Sequence, residues 1–267
     1  MKYRAFAIDL DGTLLEGEDI PQGNIEPLRR AAEAGVHVMI ATARWRHIAE
    51  RIAGEIGIQD LIIACSGAHV YNSRDGSDVF DHRLPEMFTR ELFDICNAER
   101  CIATVTFSDD VRLKLDGEPK LDQMGPEMSW VPQLAYDPSD QPRIAAVQGT
   151  ACVEKIRAEL EDKYRDEVNI FDSIGPTGRI IITITAKAAT KGAAVEAACQ
   201  ELGITRDQVV AFGDAENDLE MFKAAGAAVV MGQADEATKA HADFITLPNY
   251  DSGVGHAVEK ILAGEIL

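Results

Sequence analysis

Basic residues are scarce: 26 Lys and Arg stand against 45 Asp and Glu, a formal charge of -19 over 267 residues. Broad binding to nucleic acid or to an anionic membrane is excluded by that balance, because both partners need a positive electrostatic footprint. Cysteine is also sparse. The five (Cys65, Cys96, Cys101, Cys152, Cys199) are odd in number, widely spread and without a CxxC pair, which argues against a disulfide framework and a zinc motif and for reduced core thiols. The six histidines show neither HxxxH nor HExxH spacing. No apolar run reaches membrane length, and the opening MKYRAFAIDLDG is broken by Arg4 and Asp9, so neither a signal peptide nor a span is expected there. A soluble cytoplasmic protein is the expectation.

With 46% hydrophobic residues the chain has ample material for a core. Phe6-Ala7-Ile8 ends at Asp9; Asn24 to Ala34 reads as a helix closed by Gly35; Val36 to Ala41 is a second strand and Leu61 to Ala64 a third. The same alternation returns in a helix from Lys191 to Leu202, strand Val209 to Phe212, helix Leu219 to Ala225, strand Ala228 to Met231 and a short strand near Phe244. Short apolar strands alternating with amphipathic helices predict an α/β fold, a Rossmann-like doubly wound parallel sheet.

Between these ends the pattern changes. A helix over Pro85 to Glu99 precedes alternating segments Ile102 to Phe107 and Val111 to Leu115 around a turn at Asp109-Asp110. A loop rich in Pro and Met around Trp130 leads to Ile144 to Gln148, a helix from Ala151 to Lys163, and strands near Val168 to Phe171 and Arg179 to Thr185. The expected organisation is a core of 1–82 and 187–267 with an antiparallel α+β domain, 83–186, inserted into it.

Chemistry concentrates at strand ends. Asp9-Leu10-Asp11-Gly12-Thr13 closes the first strand, and strand alternation would send Asp9 and Asp11 to one side. Thr42 closes the second, where a following helix start would favour an anion. Gly213-Asp214-Ala215-Glu216-Asn217-Asp218 follows another buried strand, so Asp214 should reach the same crevice. Two carboxylates about 4 Å apart repel by about 4 kcal/mol at an effective dielectric near 20. A hard divalent cation, Mg2+ foremost, would reverse that repulsion. Lys191, at a helix start where the dipole disfavours a cation, implies an anion beside it; Lys187 is the nearby competitor.

DxDGT, a strand-end Thr, a Lys before a helix and GDxxND, in this order, resemble the four motifs of the haloacid dehalogenase superfamily, and the insertion resembles the α+β cap of its Cof-type members. The resemblance implies Asp9 as nucleophile, Asp11 as general acid and base, and Thr42, Lys191 and Asn217 as phosphate-binding residues. It further implies Asp214 as a metal ligand together with Asp9 and the Asp11 carbonyl, supported by Asp218. The implied activity is Mg2+-dependent hydrolysis of a small phosphorylated metabolite, with the cap closing over the site. Phosphomutase or phosphotransferase activity and a phosphorylatable signalling module are the alternatives. Thr42-Ala43-Arg44 and Ser66-Gly67-Ala68 depart from the Thr-Gly-Arg and Asn-Gly-Ala common in the family; Asn249 and Asp251 are minor site candidates, and Arg112, Lys114, Trp130 and Arg143 candidates to face the leaving group.

Overall fold

The computed structural model describes residues 2–108, 110–115, 117, 127–174 and 178–267. The chain divides into two compact units, 1–80 with 190–267, and 81–189. In chain order the elements are β1 (Ala5–Ile8), α1 (Gln22–Glu33), β2 (His37–Ala41), α2 (Arg46–Ile56), β3 (Leu61–Ala64), β4 (His69–Asn72) and β5 (Asp78–Asp81). The second unit follows with α3 (Glu86–Ala98), β6 (Ile102–Thr106), β7 (Val111–Lys114), β8 (Met128–Val131), β9 (Ile144–Gln148), α4 (Thr150–Ile156), β10 (Val168–Ile174) and β11 (Ile180–Ala186). The chain then returns to the first unit with α5 (Lys191–Leu202), β12 (Val209–Gly213), α6 (Leu219–Ala224), β13 (Ala227–Val230), α7 (Glu236–Lys239), β14 (Phe244–Ile245) and α8 (Gly253–Leu262).

The first unit is built on an eight-stranded sheet ordered β14-β13-β12-β1-β2-β3-β4-β5. β1 lies between β12 and β2, parallel to both, with Ile8 opposite Phe212 and Ile40. Every residue of β1 is buried, as both faces of a doubly wound sheet require. One face carries Ala5, Ala7, Met39 and Ala211 against Ala194, Val195 and Ala198 of α5 and Met221 and Phe222 of α6. α1 and α8 pack on each other, where the Gly255 amide donates to Asn24 Oδ1 at 2.8 Å. The chain turns to opposite sides from β1, which makes the carboxyl ends of β1, β2 and β12 a topological switch point, where ligands bind in open α/β sheets.

Two strands of this sheet have no counterpart in the sequence reading. β4 pairs antiparallel with β3 and so interrupts the parallel pattern, and both it and β5 lie toward an edge, where a single apolar alternation is short and easily overlooked. α8 was likewise not foreseen.

The second unit has a six-stranded sheet ordered β10-β11-β9-β6-β7-β8. Ala103 and Val105 of β6, Val147 of β9 and Ile182 and Ile184 of β11 form a buried face with Phe88 and Leu92 of α3 and Ile156 of α4. Its sheet is not wholly antiparallel: β7 and β8 run parallel. A parallel pair needs a crossover of about a dozen residues, and the connection from Lys114 to Met128 is long enough to supply it. The segment around Trp130 is therefore partly strand, not loop. Asp109 of the expected turn, and the part of the Pro- and Met-rich stretch before Glu127 other than Gly117, lie outside the described residues. Among the described residues no helix is long and apolar enough to cross a membrane.

Candidate active site

Asp9, Thr42 and Asp214 are each the first residue past a strand, β1, β2 and β12 respectively, so three adjacent parallel strands deliver them to one edge of the sheet. The Asp9 amide extends the ladder by donating to Phe212 O at 3.0 Å; then the chain turns sharply, with the Thr13 amide on Leu10 O and the Leu14 amide on Asp9 O. Gly12 makes the turn at φ +82°, and a Cβ there would fall 2.4 Å from Asp214 Oδ2, so glycine is required both by conformation and by contact. Thr13 Oγ1 donates to Asp214 Oδ1 at 3.1 Å, and Gln233 Nε2 holds the Gly12 carbonyl at 2.6 Å.

Because β1 ends at Ile8, strand alternation does not govern Asp11. Asp9 is 4% exposed, whereas the Asp11 carboxylate is about half exposed and is gripped by Arg44, whose Nη2 donates at 2.6 Å and Nε at 3.0 Å. Arg44 also donates to Glu18, and these two carboxylates hold its guanidinium above the ordinary arginine range. Among the described residues, the acids whose oxygens come together within 4.8 Å as a group of three are Asp9, Asp214 and Asp218. The expected trio of Asp9, Asp11 and Asp214 is thus corrected: the Asp11 side chain is not in this cluster, although its charge still raises Asp214.

Lys191, the first residue of α5, is 3% exposed and donates to Asp9 Oδ1 at 2.6 Å and Asp218 Oδ1 at 2.7 Å. Its helix is capped by Thr190 Oγ1, which accepts from the Ala193 amide. Burial disfavours the ammonium, but Asp218 and Asp9 outweigh that cost and hold its pKa above the usual lysine value. Lys187 is exposed at the end of β11 in the other unit, so Lys191 is the lysine that meets the acids. Asp218 Oδ2 accepts from the amides of Asp214 and Ala215, which shapes the turn presenting Asp214. With both oxygens engaged, Asp218 organises Lys191 and that turn.

Burial pushes Asp9 up to about 8 despite Lys191, and Asp218 and Asp214 add to the rise. Asp214 rises to about 6, through burial first and then the charge of Asp218. Carboxylates so reluctant to ionise mark a place where added positive charge would be strongly stabilised. Asp9, Asp214 and Asp218 form a group able to hold a metal ion.

Thr42 is fully buried; its amide donates to Ile63 O at 2.8 Å and its Oγ1 accepts from the Arg44 amide at 3.0 Å. α2 begins only at Arg46, so Thr42 sits in a turn before the helix and not at its start, as the sequence had suggested. Cys65 and Ser66 have φ of +53° and +56°, and their amides donate to Arg44 O and Thr42 O. Non-glycine residues held in the left-handed region store strain, which clusters at functional sites. Gly67 follows at φ +92°, and a Cβ there would lie 2.3 Å from the Thr190 carbonyl oxygen. Asn217 stands exposed on the turn Glu216–Asp218. Asn249 Nδ2 supports the loop after Asp11 through Leu15 O at 2.7 Å, while Asp251 is exposed.

In the second unit Arg143 is buried on Asp81 and on the carbonyls of Phe107 and Ser108, a structural role, and Arg112 pairs with Asp110 over the Phe107 ring. Sequence reasoning gave no role to Thr13, Glu18, Arg44 or Gln233. Thr13 and Arg44 lay inside quoted motifs; Glu18 carries no local signal.

Removing the Lys191 ammonium should leave Asp9 and Asp218 facing each other in the interior. Lys191→Met is expected to cost about 3–5 kcal/mol, measured as a lowered denaturation midpoint. An unchanged midpoint would show that these contacts carry no net stability.

Strand-end acids around a buried lysine, at the switch point of a doubly wound sheet with an α+β insertion, define a class of α/β proteins with an acidic site at the strand ends. Residues 6–258 match the family model of haloacid dehalogenase-like hydrolases. A 5-amino-6-(5-phospho-D-ribitylamino)uracil phosphatase of Bacillus subtilis is 28% identical over 259 residues, 96% of this chain and 94% of its own. A haloacid dehalogenase-like hydrolase from Bacteroides thetaiotaomicron superposes with a TM-score of 0.83 at 23% identity, over 97% of this chain and 99% of that one. A subclass IIB sugar phosphatase of the superfamily gives 0.78 at 20%, over 98% and 100%. At those identities the two structures speak to the fold. The chain belongs to the haloacid dehalogenase-like hydrolase family.

Proposed function

We propose that the protein is a Mg2+-dependent phosphatase that hydrolyses a small phosphorylated metabolite, a sugar phosphate or similar, through an aspartyl phosphate on Asp9. The observation carrying this reading is the buried Asp9 carboxylate, held by Lys191 and flanked by Asp214 at the carboxyl end of β1. The name of the Bacillus subtilis relative supports a small phosphorylated substrate. Five free, buried cysteines support a reducing, cytoplasmic setting.

A cation site fits the chemistry of these donors: hard carboxylate oxygens whose raised pKa values reflect uncompensated negative charge. Asp9, Asp214 and the Asp11 carbonyl would hold Mg2+, which supplies positive charge to the transferring phosphoryl oxygens. The chain's own residues do the rest. An Asp9 oxygen attacks phosphorus in line, the P–O bond to the leaving group breaks, and Asp11 gives that oxygen a proton. In the second half-reaction Asp11, now ionised, takes a proton from water, whose oxygen attacks phosphorus and releases inorganic phosphate and Asp9. Lys191, Thr42 and Asn217 stabilise the charge on the phosphoryl group, the main task in such transfers.

The test is turnover of p-nitrophenyl phosphate and of a sugar-phosphate panel by purified protein, with Mg2+ and with excess chelator. Activity is expected with Mg2+ and should fall by about two orders of magnitude or more without it. Full activity in chelator would overturn the proposal; transfer of phosphate to a sugar hydroxyl in place of water would make the protein a phosphotransferase.

A further inference from the structure

Three cysteines of the second unit converge although their spacing in the sequence shows no metal motif. Cys96 lies in the last turn of α3, Cys101 in the link from α3 to β6, and Cys152 in the first turn of α4; all three are buried. Their sulfurs all lie within 4.8 Å of one another, and Cys152 Sγ is 3.9 Å from Cys96 Sγ. Gly149 makes the approach possible: at φ +142° it presses against the chain of Cys101, and a Cβ there would fall 2.7 Å from Arg100 O and 3.2 Å from Cys101 Cβ. Beside the sulfurs stands Lys114, 4% exposed, with Nζ 3.6 Å from Cys101 Sγ and 3.1 Å from the Glu99 carbonyl oxygen.

We propose that Cys96, Cys101 and Cys152 form a trithiolate site for a soft d10 metal ion, Zn2+ foremost, that ties α3, the start of β6 and α4 together. Zinc–thiolate bonds of about 2.3 Å place sulfurs roughly 3.8–4.0 Å apart in tetrahedral or trigonal arrangements, and the Cys96–Cys152 separation of 3.9 Å falls in that interval. It is far from a disulfide, whose sulfurs stand about 2.05 Å apart. Charge favours a divalent ion: three thiolates with Zn2+ leave one net negative charge in the interior, whereas Cu+ would leave two. Mg2+ would not compete, since it takes hard oxygen donors.

The site is tested on the full-length protein, reduced, unfolded and refolded without oxygen in the presence of Co2+, a spectroscopic stand-in for Zn2+. One equivalent should give sulfur-to-cobalt charge-transfer absorption in the near ultraviolet and be displaced by Zn2+. That absorption reports thiolate ligands only, so binding at the Asp9 and Asp214 carboxylates does not mimic it. Cys152→Ser should abolish the band and lower affinity by about two orders of magnitude or more. Lys114→Met should weaken binding with the band retained. The absence of a band in the wild-type protein at any cobalt concentration, with all thiols titrating freely after unfolding, would show that the three sulfurs are apolar packing and overturn the site. A band surviving in Cys152→Ser would assign it to other cysteines, with the same consequence.

Discussion

With an aryl phosphate, Asp11→Asn should release a burst of phenol and then stall with phosphate trapped on Asp9, whereas Asp9→Asn should do neither. The two residues lie two positions apart, yet the fold gives them different surroundings: Asp9 is buried on Lys191, and Asp11 is half exposed on Arg44. Asp9→Asn removes the nucleophile, and no phosphoenzyme can form with any substrate. Asp11→Asn removes a general acid and base typically worth about 10²- to 10⁴-fold, but an aryl leaving group needs little protonation, so the first half-reaction proceeds. The second lacks its base and lags. Rapid-quench mass spectrometry checks the outcome. Equal residual turnover in both variants, with no phosphoenzyme in either, would show that the two carboxylates have been given the wrong roles.

Asp214→Asn should raise the stability of the metal-free protein while removing most of its activity. Asp214 is pushed from an ordinary 3.8 to about 6 in the folded state, by burial and then by Asp218. A carboxyl that binds its proton more tightly when folded stabilises the fold fully below pH about 4, and that contribution is lost as pH rises through about 6. Asp9, pushed up to about 8, follows the same sign to higher pH. At pH 8 in chelator the wild-type protein therefore carries an ionised Asp214 that the fold opposes. Asparagine keeps an acceptor for Thr13 Oγ1 without the charge. The expected gain is about 1–3 kcal/mol at pH 8, shrinking toward zero near pH 4. In Mg2+ the advantage should vanish or reverse, because the wild type binds the cation and the variant binds it poorly. Thermal melts at pH 4.5, 6 and 8, with chelator or Mg2+, read this directly. Coincident melting of the two proteins at pH 8 in chelator would mean that Asp214 carries no such strain.

Much of the core was legible because its signals are local. Four buried residues before Asp9, four before Thr42 and five before Asp214 are runs that only strands of a sheet covered on both faces bear, and these three residues follow them directly. Lys191 was legible from its unfavourable place at a helix start, with Thr190 as cap. Other features were hidden because they depend on backbone turns or on distant partners. That Asp11 points to Arg44, which Glu18 also holds, follows from a chain reversal at Gly12 which strand periodicity does not report. Asp218 replaces it in the acidic cluster because its carboxylate closes the turn at Asp214, a local hydrogen bond that the sequence presents only as one more acid. The parallel pairing of β7 with β8 was missed for another reason: alternation shows that a strand exists but is silent on its direction.

The close approach of Gly67 to the Thr190 carbonyl has a bearing on how this chain could be rebuilt. Thr190 is where the polypeptide re-enters the first unit after more than a hundred residues elsewhere, and Lys191 comes next. The re-entry point is clamped by a backbone that also contacts Thr42 and Arg44 through the amides of Ser66 and Cys65, so the lysine's position is set within the core and not by the length of the excursion before it. The core therefore behaves as a socket with a fixed rim, into which inserts of different size and shape can be spliced between 81 and 189 while Asp9, Thr42, Lys191 and Asp214 keep their spacing.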